Sequence, residues 1–139
     1  MNTEIIILNS VILSMLIAAL AVLILFTPLY FFFHLSAKIL KNKINKIEEL
    51  VNNKPSKDIF IKIDKYSNFL ENSGESLFRK NIIEECDFRL RYIKAVLLYK
   101  LGDKVNSYLK MKVLLVEQKD NQQIIEYLNK IKKEININQ

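Results

Sequence analysis

The chain has 139 residues, 50% of them hydrophobic, with 21 Lys and Arg against 15 Asp and Glu for a net charge of +6, and it holds one cysteine, two glycines and two prolines. A single cysteine excludes an intramolecular disulfide and has no metal-site spacing, and the length leaves room for one small domain beyond the apolar start. Every Lys and Arg lies after Leu35, mixed with acids and not gathered into an arm; that is the pattern of a solvated surface beside an anionic membrane, whereas a nucleic-acid binder clusters its basic residues.

From Ile5 to Leu35 the chain is almost wholly apolar and has no basic residue, and about 20 such residues cross roughly 30 Å of hydrocarbon. Residues 1–35 therefore read as a membrane anchor, with a span over about 5–29 and an aromatic interface, Tyr30 to His34, over 30–34. Pro28 removes a backbone donor and crowds the preceding turn, which predicts a bend near Ile24 to Pro28. A cleaved secretory signal is the competing reading, since Ala18 to Ala21 offers a small-residue site. Against it stand the lack of a basic stretch before the apolar run and the long continuation past that site. Lys38, Lys41, Lys43 and Lys46 crowd one flank, which predicts a cytoplasmic carboxyl domain, with an exported one as the alternative. Ser10, Ser14 and Ala18 recur every four residues, with Asn9 beside them, and such small residues allow another transmembrane helix to approach.

Residues 36–53 form a juxtamembrane amphipathic helix. Its Leu40, Ile44, Ile47 and Val51, in line with Phe33 and Ala37, alternate in steps of four and three, the spacing of a seam that pairs copies, packs on the chain's own downstream helices or lies along lipid. Asn52 to Ser56 is the linker, because Pro55 disfavours helix in the residue before it and Ser56 suits a cap. A helical domain over 56–139 follows. Its first helix runs to about Asn72 with Ile59, Phe60, Ile63, Tyr66 and Leu70 on one side. "DIFIKID" alternates enough to leave a short strand open, and Gly74 is the predicted stop. Glu75 to Leu101 has no breaker and forms one long helix or two with a bend, its stripe being Phe78, Ile82, Cys86, Leu90, Ile93 and Leu97. Gly102 stops it and Asp103 caps a helix over Lys104 to Glu117. A box of Asp120 and Gln123 opens the last helix, whose inner face is Ile124, Ile125, Leu128 and Ile131.

"AVLLYKLGDKVNSYL", Ala95 to Leu109, resembles the central turn of a tetratricopeptide repeat. Ala95 stands at a small position of the first helix, Tyr99 at an aromatic one, Leu101-Gly102-Asp103 at the turn and Ser107 at the small position of the second helix. "QKDNQQIIEYLNKIKKE" is similar to the solvating helix that ends such arrays. The resemblance covers about residues 91–133, with no second copy 34 residues upstream. Arg91, Leu114 and Lys119 depart from the pattern, standing where that family prefers a large apolar residue, Ala and Pro. The resemblance implies a protein-binding surface and not an activity. The predicted fold class is all-α: one N-terminal transmembrane helix followed by a small antiparallel hairpin stack.

Catalysis needs particular residue types in company, and they are missing here. His34 is alone at the interface, where an amphipathic ring is comfortable. Cys86 sits on an apolar stripe as a structural thiol. Glu84, Glu85 and Asp87 are flanked by Arg79, Lys80, Arg89 and Arg91 at helical spacing and read as ion pairs. Gly74 and Gly102 are too far apart for a phosphate loop. No catalytic, cofactor-binding or metal-ligating residue is expected, and no nucleic-acid or small-molecule partner. "MKVLLVEQ" has five apolar residues in six, more than one helix stripe holds, so Val113 and Val116 are predicted to face a protein partner or a second copy. The expected function is that of a non-enzymatic single-pass protein of the bacterial inner membrane, an adaptor or small structural subunit of a secretion, motility or division machine. A small membrane-active oligomer, holin- or toxin-like, is the alternative.

Overall fold

A computed structural model describes the backbone of residues 2–135, and the side chains of that range except 2–9 and 73–77. The described residues form five α-helices and no strand: α1 (Asn2–Asn53), α2 (Asp58–Leu77), α3 (Lys80–Lys100), α4 (Lys104–Glu117) and α5 (Gln122–Ile135). The chain divides into two compact units at Ser36–Ala37.

The first unit is helical from Asn2, and Pro28 lies inside α1. Side chains from Ser10 to Leu35 are all exposed. Among the described residues α1 alone is long and apolar enough to cross a membrane, with a mean hydropathy of 2.7 over its most apolar stretch. Its hydroxyls are satisfied within the helix: Ser14 donates to the Val11 carbonyl at 2.8 Å, Thr27 to Leu23 at 2.5 Å and Ser36 to Phe32 at 2.8 Å. A hydroxyl turned back onto its own helix needs no water.

In the second unit one core draws on all five helices, from Leu40, Ile44, Ile47 and Val51 of α1 to Ile124 and Leu128 of α5. The four α1 residues are between 0% and 4% exposed, so the juxtamembrane seam is an internal contact with the chain's own helices. Central to the core is α3, which buries Cys86, Leu90, Ile93, Ala95, Val96 and Leu97. Polar pairs fix how α1 lies along it. Lys41 donates to both Glu85 oxygens at 2.9 and 2.7 Å, Arg89 to Asn45 at 2.9 Å and to Glu48, and Lys100 to Asn52 Oδ1 at 3.0 Å. The numbers rise together, so the end of α1 and α3 run in the same direction. The same holds for α3 and α5, where Tyr92 and Tyr99 both meet Tyr127 edge to face at 6.2 and 5.6 Å between ring centres and Tyr99 donates to Glu134 at 2.6 Å.

Three boundaries differ from the sequence expectation. Gly74 does not stop α2, which continues to Leu77; an interior glycine costs a helix about 1 kcal/mol but ends it only where the backbone turns left-handed. The break comes at Phe78–Arg79, with Arg79 extended at φ −68°, ψ 146°, so Glu75 to Leu101 is not one element. The α5 cap is Asn121 and not the Asp120–Gln123 box: Asn121 Oδ1 accepts from the Ile124 amide at 3.3 Å and the helix begins at Gln122. On α5, Ile124, Leu128 and Ile131 are buried and Ile125 is half-buried. "DIFIKID" lies inside α2.

Candidate functional site: the outer face of α4

Gly102 takes φ +92°, a conformation glycine adopts without a Cβ penalty. Asp103 then caps α4, its carboxylate accepting from the Asn106 amide at 3.2 Å and from the Asn106 side chain at 2.8 Å. This turn lays α4 back on α3. Two small residues meet between them: Ser107 and Ala95 are both fully buried, and Ser107 Oγ donates to the Ala95 carbonyl at 2.7 Å. Near the far end of α4, Arg91 grips Glu117 with two parallel bonds of 2.6 and 2.8 Å while its Nε donates to Asp87 at 2.8 Å. The Arg91 that departs from the repeat pattern thus clamps α3 to α4 as an ion pair.

With Ser107, Met111 and Leu114 turned into the core, the opposite side of α4 at 100° per residue holds Val105, Leu109, Val113 and Val116. They are 57%, 55%, 59% and 73% exposed. Val113 and Val116 were identifiable from the density of apolar residues; Val105 and Leu109 were not, although four-residue spacing counted from Val113 finds both. Alternation of a buried and an exposed apolar face on one short helix is the signal. Lysines border the stripe. Lys112 lies 5.5 Å above the Tyr108 ring, and shallow depressions on either side are lined by Lys110 and Lys94 with Val113, and by Lys112 and Lys119 with Leu115, Val116 and Leu128.

A second concavity of about 200 Å³ lies between Glu48, Asn52, Tyr92, Val96 and Tyr127. Burial pushes the Tyr92 phenol up to about 12, with Tyr127 and Glu48 adding to it, and burial also raises Tyr127. Both phenols therefore stay protonated near neutral pH, and Glu48 is held by Arg89. Burial first, and then Glu85, raises the Cys86 thiol. Glu84, Glu85 and Asp87 pair with Lys80, Lys41 and Arg91 at 3.8, 2.7 and 2.8 Å. Among the described residues no three His, Cys, Asp or Glu groups come together as metal ligands. His34 stacks on Tyr30, ring centres 6.4 Å apart. Ser10, Ser14 and Ala18 lie along one exposed line of α1.

Two carboxylates sit below their ordinary range: Glu117 through its hydrogen bonds from Arg91, and Glu134 through those from Tyr99 and Lys104. A carboxylate whose pKa is lower folded than unfolded stabilises the fold above the ordinary glutamate value, about 4.3. That contribution disappears as pH falls through the lowered folded value. The melting temperature of the helical domain should accordingly fall from pH 5 toward pH 3, and Glu117→Gln should flatten part of that slope while lowering stability at pH 7. A pH profile parallel to that of the unmodified chain would remove the Arg91–Glu117 clamp from the account.

The class these observations define is an all-helical chain with one helix fit to span a membrane and a helical domain with a basic-rimmed apolar face. Comparison with protein-family models, with curated proteins and with solved structures finds no match.

Proposed function

We propose that the chain is a non-enzymatic single-pass membrane protein whose helical domain lies in the cytoplasm and binds another protein, as an adaptor or small structural subunit of a larger machine of the inner membrane, of the secretion, motility or division type. One observation carries the reading: apolar surface is left uncovered in two places, all around α1 from Ser10 to Leu35 and along α4 opposite its core face. Water does not accommodate the first, which a bilayer covers, and a contiguous exposed apolar stripe such as the second marks an interaction surface. The lysines following the span favour the cytoplasmic side. The successive hairpins, with the part of α1 after Ser36 parallel to α3 and α5, support a tetratricopeptide-like stack, an architecture whose output is binding.

Gentle-detergent extraction of a carboxyl-tagged chain from native membranes tests it. The unmodified chain should bring down a larger protein in fixed ratio. Val113→Asp with Val116→Asp should lose that protein while the domain keeps its melting temperature within about 4–8 °C, since each exposed substitution on a helix costs about 0.5 kcal/mol or less. Recovery of a homo-oligomer alone, with loss of membrane potential on overexpression, would replace this reading by that of a membrane-active oligomer assembled through Ser10, Ser14 and Ala18.

A further inference from the structure

Resting on the protein-binding reading above, we infer that the occupant of the α4 face is an acidic amphipathic helix of the partner, laid along Val105, Leu109, Val113 and Val116 with its carboxylates on Lys110, Lys112 and Lys119.

The shape argues for a helix. From Val105 to Val116 the stripe runs about 16 Å, three helical turns, which matches a partner helix presenting residues at every third and fourth position. The described residues contain no strand, so an extended peptide finds no sheet edge to join. Beside the stripe, the depression floored by Leu115, Val116 and Leu128 offers the groove into which a ridge of side chains packs.

The charges argue for acidity. Lys41, Arg89, Arg91, Lys94 and Lys104 each hold a carboxylate, whereas among the described residues Lys110, Lys112 and Lys119 have none within ion-pair distance. Glu117, the acid on that side of α4, is taken by Arg91, and Asp120 follows in the turn. A second copy of this chain would set lysines against lysines, which disfavours self-pairing through this face. A lipid surface favours aromatic side chains at its boundary; the stripe has only Val and Leu, and the consecutive aromatics Tyr30 to Phe33 are in α1.

Leu109→p-benzoylphenylalanine in the full chain, irradiated in native membranes, reads the occupant directly. The expected adduct maps by mass spectrometry to a segment of another protein with apolar residues at helical spacing and net negative charge. Lys110→Glu, Lys112→Glu and Lys119→Glu together should cut its yield at least about fivefold, as three reversed surface pairs would, with melting unchanged. Adducts to lipid alone, to a second copy, to a partner segment without acids, or insensitive to charge reversal would overturn the inference, as would no adduct. If the unmodified chain still co-purifies its protein in any of these cases, the binding reading stands and only this occupant falls.

Discussion

Ile44→Ala should destabilise the helical domain by about 2–5 kcal/mol, the range found when a fully buried Ile or Leu is cut back to Ala. Ile44 has no exposed surface and lies in the core with Leu40, Ile47 and Val51 of α1. In a small domain 1 kcal/mol moves the midpoint by about 4–8 °C, so the loss should be unmistakable in thermal unfolding of the full chain followed by proteolysis of α3. The outcome also separates two roles for the α1 seam. If its residues paired two copies, truncation would change the oligomeric state and its concentration dependence while a monomer kept its melting point. A fall independent of protein concentration is the expected result, and an unchanged monomer would show that the seam faces outward.

The second large effect is expected at Ser107, where there is no room. Ser107→Leu brings extra methylenes into the crossing of α3 and α4 and removes the bond to the Ala95 carbonyl. Overpacking costs about 1–3 kcal/mol, and the lost hydrogen bond about 0.5–1.5 kcal/mol more. Ser107→Ala should cost only the second amount. Hydrogen exchange of the α3 and α4 amides distinguishes them: the leucine variant should open both helices together, while the alanine variant keeps them protected. Equal effects of the two substitutions would mean that the helices can separate to admit bulk, and the small pair would then not set their distance.

Much of this architecture was legible in the sequence wherever one residue type has one backbone use. Gly102 followed by Asp103 located the start of α4, because a left-handed stop followed by a carboxylate cap leaves little else for the chain to do. Gly74 misled for the converse reason: glycine permits a left-handed turn without requiring one, and nothing local distinguishes a tolerated interior glycine from a stop. Asp120 and Asn121 are both good caps, and only the register of Ile124, Leu128 and Ile131 against the core selects Asn121. The α1 seam could not be assigned from its period, since pairing between copies and packing within one chain demand the same spacing. At the candidate site, a dense apolar run pointed to Val113 and Val116, but the full stripe requires knowing which side of α4 Ser107, Met111 and Leu114 occupy. The pairing of Arg91 with Glu117 joins residues on two helices and has no local signature.

Cys86 is fully buried and is the only cysteine of the chain, which makes the domain its own stopwatch. A bulky thiol reagent can reach it only when α3 comes away from its neighbours, so the labelling rate equals the rate for a free thiol multiplied by the fraction of time the core is open. A domain held shut by about 5 kcal/mol labels roughly three to four powers of ten more slowly than a free thiol. The stability of the unmutated protein can thus be timed in intact membranes, and any partner that clamps the folded domain will lengthen the interval by the reciprocal of the fraction left unbound.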